Sequence, residues 1–284
     1  MKANKKISVV LTRYNESNKL INPCLIALSK QKKIIATVYF LDQKKNRETK
    51  ELCEGLTSTN IKIVYKNIPA KPLSYARNLG INLAKTELVL FIDCDAIPTQ
   101  NWAFELAQAF EVNKKIAIAG GKSVAKWLVK PKWYHKSNIL MDMYSTIDLG
   151  NGVKETEKIV GVNFGLNKGL LKNGAFFDEN LGRRPGSLMS GEESDLCSRS
   201  EKKGFLTFYT GRAIVKHQIQ KDRMQFSWVL RRFYYAGCEK AILGGIPKTY
   251  NTKRNIYDRL LLPVIVIPYL MGFLRSKIKN AVKT

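Results

Sequence analysis

The stretch LVLFIDCDAIP, residues 88 to 98, runs apolar and then ends on Asp93 and Asp95 before Pro98. A strand buried in a core has no packing use for two carboxylates at its end. Brought together in a turn, their hard oxygens suit Mg²⁺ or Mn²⁺ and leave coordination positions open for phosphate oxygens. The competing use is structural, a pair of turn-forming aspartates that cap the next helix. An Asp-x-Asp alone does not separate the two. Other polar groups stand at comparable places. Thr12, Tyr14 and Asn15 follow the apolar run Ile7 to Leu11, Asp42 closes the run from Ile34, and GEESD carries Glu192, Glu193 and Asp195. Ser190 and Glu193 also have the spacing of a capping box, which would make Glu193 a helix cap.

The elements that must position these groups are legible from hydrophobic patterning. Strand-like runs cover Ile7 to Leu11, Ile34 to Leu41, Ile61 to Tyr65, Leu88 to Ile92 and Ile116 to Ala119. Between them Leu20 to Ser29, Thr49 to Leu56, Leu73 to Ala84 and Trp102 to Phe110 carry helical spacing. Continuously apolar strands separated by helices predict a parallel α/β sheet with helices on both faces. In such sheets ligands bind beyond the carboxyl ends of the strands, which is where Tyr14, Asn15, Asp42, Asp93 and Asp95 fall. From Lys122 to Lys158 the pattern is less regular and rich in aromatics and lysines, with His135 read as surface or cleft.

Composition bounds the rest. The five cysteines are scattered without CxxC spacing, which argues against a disulfide framework or a thiolate zinc site and for a reducing compartment. The apolar run in the N-terminal MKANKKISVVLTRYN is too short for a signal peptide, so the expectation is a cytoplasmic protein. A net charge of +25 implies an anionic partner without naming it. The last seventy residues mix apolar runs with arginine and lysine. The uncharged run Leu260 to Leu274 falls short of the roughly 20 residues that span a bilayer, and Pro263 and Pro268 interrupt it. A basic, apolar helix lying in the interface of an anionic membrane is the expectation, against a plain helix pair packed on the core.

The order of motifs adds a resemblance. LSYARNLGINLAKTELVLFIDCDAIP resembles the nucleotide-sugar-binding stretch of the family 2 glycosyltransferases, with Ala76-Arg77-Asn78-Leu79-Gly80 leading to Asp93-Cys94-Asp95. VVLTRYNES resembles the family's opening strand and nucleotide loop, GVNFGLNKGLLKNGAFFDENLG its acceptor-side segment, and GEESDLCSR its late acidic motif. The likeness covers residues 7 to 217. It implies a GT-A fold, a Rossmann-like nucleotide-binding sheet over 1–217, with a helical basic and apolar appendage over 218–284. It also implies an inverting transfer from a nucleotide sugar, a UDP-sugar favoured, with Mn²⁺ or Mg²⁺ as cofactor.

Residue roles follow from the same resemblance. Thr12, Tyr14 and Asn15 match the loop around base and ribose, and Asp42 the carboxylate that accepts from the base. Arg77, with Asn78, matches residues near ribose and diphosphate. Asp93 would touch ribose or metal, Cys94 lies between, and Asp95 would bind the metal, with His217 as a further ligand. Glu193 falls at the position of the general base, with Asp195 as second candidate. Asn163, Phe164, Gly165 and Glu192 fall on the acceptor and donor-sugar side. Arg13 stands where the family often has a small residue.

The acceptor is expected to be a lipid-linked or polysaccharide glycan. Lys221, Arg223, Arg231 and Arg232, with aromatics between, suit a lipid phosphate, and the tail suits the cytoplasmic face of a membrane. Two other classes compete with this reading. A basic nucleic-acid-binding protein fits the lysine content, but the cations are spread along the chain and no binding motif occurs, so nucleic acid is not the expected partner. A nucleotidyltransferase on a similar sheet would show a glycine-rich loop after the first strand, and TRYNES has no glycine.

Overall fold

A computed structural model describes residues 5–174, 176–244 and 254–281. The first residues of the basic N-terminus and the link between the two C-terminal helices, 245–253, lie outside the described residues. The chain alternates as expected through β1 (Lys5–Arg13), α1 (Asn18–Ser29), β2 (Ile34–Asp42), α2 (Arg47–Gly55), β3 (Ile61–Asn67), α3 (Leu73–Leu83) and β4 (Leu88–Asp93). A short β5 (Ala96–Pro98), α4 (Trp102–Ala109) and β6 (Ile116–Trp127) follow. Then come α5 (Asn138–Met143), β7 (Val153–Glu155), β8 (Asn163–Asn167), α6 (Lys168–Leu171), α7 (Glu192–Glu201) and β9 (Leu206–Ile219). The C-terminal pair is α8 (Phe226–Leu243) and α9 (Ile256–Ala281).

The strands form one sheet in the order β3-β2-β1-β4-β8-β6-β9-β5, with β7 on β9. Strands β1 to β4 pair in parallel, as the apolar runs predict. The second half departs: β8 is inserted antiparallel between β4 and β6, so the sheet is mixed. Strand β9 ends at Ile219, past the expected boundary after His217.

Alternation along the strands sends side chains to two separate cores. Ile7, Val9 and Leu11 of β1 pack with α1, α2 and α4 on one face, where Trp102 is fully buried. Val10, Val89 and Phe91 face the other way, onto α3, α6 and α7. There Phe91 stacks on Phe164 across the antiparallel pair, with centroids 4.6 Å apart.

A third cluster holds the C-terminal helices. Tyr134, Leu140 and Tyr144 meet Met224, Trp228, Phe233, Leu261 and Ile265. His135 belongs to this cluster, not to the surface or cleft expected of it: it is buried, with Nδ1 3.0 Å from Tyr144 Oη. Helices α8 and α9 meet at reciprocal glycines, since a Cβ on Gly237 would strike the Tyr269 carbonyl and one on Gly272 the Tyr234 carbonyl.

The expectation that prolines break the tail is corrected. Pro263 and Pro268 lie inside α9, where each removes one N–H from the helical ladder without ending it. The apolar segment Ile256–Lys279 is therefore 24 residues, its most apolar 18-residue stretch has mean hydropathy 1.5, and by length and composition alone it could cross a membrane.

Candidate active site

A cleft of about 1110 Å³ opens beyond the carboxyl ends of β1 and β4, walled by the loop before β8, the 181–191 loop, α7 and α8. Thr12, Tyr14, Asn15, Arg77, Asp93, Cys94, Asp95, Glu192, Glu193, Asp195 and His217 all line it. These residues, drawn from across the chain, converge because the parallel strands end together and α7 starts opposite them.

At the centre sits Arg77. Its guanidinium is buried and gathers three carboxylates: Glu193 at 2.6 Å, Glu192 at 3.0 Å and Asp93 at 3.4 Å. It lies over the ring of Phe164, 5.4 Å from the centroid, and donates to the Gly161 carbonyl at 3.0 Å. A side chain at Gly161 would land on the Glu193 carboxylate, so this loop comes so close only as glycine. Burial and the neighbouring Glu193 push the Glu192 carboxyl up to about 8, against the pull of Arg77. The Asp93 side chain remains 33% exposed, turned to the cleft.

Asp95 forms a second focus. Its Oδ1 is 3.4 Å from His217 Nε2 and its Oδ2 3.1 Å from Arg223 Nη2. Burial would raise this carboxyl, but the His217 ring and the Arg223 guanidinium hold it well below the usual carboxylate range. His217 Nδ1 lies 2.7 Å from the Tyr144 carbonyl, an outer hydrogen bond of the kind that orients a metal-ligating imidazole. Asp95 and His217 thus fit as two ligands of a divalent cation. Asp93 is turned toward Arg77, and among the described residues no three His, Cys, Asp or Glu side chains converge as a ready-made metal cage. A site of two protein ligands with open positions suits an ion shared with phosphate oxygens.

Several expected residues serve elsewhere. Asp42 is fully buried and its oxygens are taken, Oδ1 by the Lys44 N–H and Oδ2 by Arg13 Nη1 and Tyr65 Oη, so in this arrangement it does not reach the cleft. Arg13, the departure noted in the sequence, pairs with it at 3.2 Å and ties the β1 loop to α2 through Thr49. Asn78 binds the backbone of Phe177 through both ends of its amide. Asn163, Phe164 and Gly165 are interior rather than acceptor-side. Asn163 accepts from Trp102 Nε1 and donates to the Lys122 and Ala213 carbonyls, locking the mixed sheet. The residues just before them, 158–162, line the cleft instead.

The capping-box reading of Glu193 fails. Gly191 is the N-cap of α7, and Ser190 donates to Glu239 through both N–H and Oγ. Asp195 is held by Arg199 at 2.8 Å within its own helix.

Sequence reasoning missed Arg183, a cleft residue whose guanidinium feels the charges of Asp93 and Asp95. Burial and the charges of Arg223 and Arg232 push its guanidinium down to about 10. The arginine pair between two glycines in LGRRPG was the available signal.

A mixed sheet of this topology with an acidic, arginine-centred cleft beyond its parallel strand ends is the architecture of a GT-A glycosyltransferase. Residues 8–174 match the profile of glycosyl transferase family 2, and the chain belongs to that family. The glucosyl-dolichyl phosphate glucuronosyltransferase of Haloferax volcanii is 24% identical over 216 residues, covering 75% of this chain and 69% of that protein. The mannosyltransferase PcManGT from Pyrobaculum calidifontis, solved with GDP-Man and Mn²⁺, superposes with a TM-score of 0.60 at 15% identity, covering 100% of this chain and 76% of that one. GalNAc-T7, solved with UDP, GalNAc and Mn²⁺, gives a TM-score of 0.60 at 12% identity, over 93% of this chain and 55% of that one.

Proposed function

We propose that this glycosyltransferase inverts the anomeric centre as it moves a sugar from a nucleotide-sugar donor, a UDP-sugar favoured, to a lipid-linked glycan acceptor. A polysaccharide acceptor is the less favoured alternative. The observation that carries the reading is the cleft itself, where Arg77 holds Glu193 beside Asp93 and the Asp95–His217 pair stands at the nucleotide end.

In this reading Tyr14 and Asn15, at the open mouth of the cleft, take the base and ribose. Arg77 orients the Glu193 carboxylate, which accepts the proton of the acceptor hydroxyl. That oxygen bonds to the anomeric carbon from the face opposite the diphosphate, while the bond from carbon to phosphate oxygen breaks and the nucleoside diphosphate leaves. Arg183, in the cleft, faces the growing negative charge. Asp95 and His217 would hold Mn²⁺ or Mg²⁺, which when bound offsets charge on the leaving diphosphate.

Three observations favour a lipid-linked acceptor. The Haloferax relative is named for a dolichyl phosphate substrate. Arg231, Arg232 and Lys240 line the α8 side of the cleft. Helix α9 carries Leu260, Ile267, Met271, Leu274 and Ile278 exposed along one side. The protein then works as a peripheral enzyme on the cytoplasmic face of a membrane.

Calorimetric titration with UDP and GDP, each with and without Mn²⁺, tests the donor side. Metal-dependent binding of UDP is expected. Binding of GDP alone would move the donor to GDP-sugars, and silence from both in folded protein would sink the nucleotide reading.

A further inference from the structure

Arg223 lies in a tight turn, Asp222–Met224, between β9 and α8. Its backbone is tied down: the Arg223 carbonyl accepts from Tyr144 Oη at 3.1 Å, and the Met224 carbonyl from Tyr134 Oη at 2.9 Å. From that anchor the side chain places Nη2 3.1 Å from Asp95 Oδ2 and Nη1 3.2 Å from His217 Nε2.

The partner of Nδ1 fixes one ring proton of His217. A backbone carbonyl only accepts, so His217 Nδ1 carries the ring proton that it gives to Tyr144. His217 Nε2 lies between groups of opposite kind, 3.2 Å from the Arg223 guanidinium, which only donates, and 3.4 Å from Asp95 Oδ1, which accepts; in the neutral ring its lone pair turns to the guanidinium. Arg223 therefore takes Asp95 Oδ2 and covers His217 Nε2, the two atoms a divalent cation would need. One set of atoms cannot serve both.

The arrangement has a reason. A carboxylate as buried as Asp95 is costly without a counter-charge. An arginine on the site keeps it compensated before any ion arrives. Only the side chain has to move to clear it, because the tyrosine hydroxyls hold the backbone. The space it would enter is the cleft, which Arg183 and Arg232 also line. Three guanidiniums there repel one another unless an anion joins them.

We propose that Arg223 is a displaceable counter-cation: it pairs with Asp95 beside His217, competes with a divalent cation for that pair, and on release turns into the cleft toward the phosphates of the substrate. The inference rests on the metal-assisted reading above, and it makes ion binding and substrate binding mutually reinforcing through one side chain.

The test is Mn²⁺ binding to the full-length protein without nucleotide, followed by the loss of the free-ion electron paramagnetic resonance signal. Removing a competing pair of charged hydrogen bonds should tighten Mn²⁺ binding by about tenfold or more in Arg223→Ala. Arg223→Gln, which keeps a neutral side chain of similar reach, should also bind more tightly than wild type and guards against a misfolded alanine variant. Asp95→Asn should abolish the site in either background. Wild-type or weaker affinity in both Arg223 variants overturns the proposal while leaving the metal reading standing. Binding that survives Asp95→Asn overturns it as well, because the ion then sits elsewhere. No Mn²⁺ binding by any form, even with UDP added, would remove the metal reading and this inference together.

Discussion

At the residue scale the site is organised by one buried cation. Arg77 compensates Asp93, Glu192 and Glu193 at once, and burial beside Glu193 raises the Glu192 carboxyl. That leaves Glu193 and Asp195 as the candidates for the base, and the structure separates them. Glu193 faces the cleft from beneath the Gly161 loop, whereas Asp195 is engaged by Arg199, which also binds the Gly174 and Phe176 carbonyls. Glu193→Gln should lower transfer by about 10²- to 10⁴-fold, the usual worth of a general base, with nucleotide affinity kept. Asp195→Asn should leave most of the activity. Single-turnover transfer beside calorimetry reads both, and a reversed ranking would move the base to Asp195.

At the scale of elements, the cleft depends on how α8 is held. Arg232 and Glu239 of α8 pair at 2.9 Å and bind Ser190, so the loop before α7 is hung from this helix. Helix α9 braces α8 from behind through Gly237 and Gly272. Gly272→Ala drives a Cβ into the Tyr234 carbonyl, and backbone cannot give way as a side-chain tip does. A loss of about 1–3 kcal/mol is expected, read as a lower urea midpoint at unchanged slope. A midpoint equal to that of the wild type would show that the helices are free to separate.

At the scale of the whole molecule, positive charge and exposed apolar surface meet at α9. The helix is about 39 Å long at 1.5 Å per residue, and its two sides differ. Leu261 and Ile265 are buried in the aromatic cluster and Asp258 accepts from Ser137, while Leu260, Ile267, Met271 and Leu274 face outward. An amphipathic helix with basic flanks suits the interface of an anionic bilayer. Deleting α9 would strip the cluster, so the informative change is to replace those four exposed residues with serine. Sedimentation with anionic vesicles should fall sharply at unchanged melting temperature. Undiminished sedimentation would place the anchor elsewhere.

The sequence by itself determined the first half of the sheet, α1 to α4 and the position of the acidic motifs, because buried parallel strands and their covering helices write their period directly into residue order. It also pointed to Asp93 and Asp95 at a strand end, and its resemblance to family 2 pointed to Arg77 and Glu193. What tertiary structure alone decided were the pairings between distant groups. Asn163 reads as a site residue in a line of letters, yet it is a bracket between strands because β8 runs antiparallel into the sheet. Asp42 ends its strand as a base-contacting carboxylate would, yet Arg13 across the β1–β2 pair takes its charge. Arg223 reads as one basic residue among many until β9 and α8 bring it onto Asp95 and His217. Local periodicity records which face of an element is buried. It does not record which charge another element delivers there, and in this protein that choice sets the chemistry of the cleft.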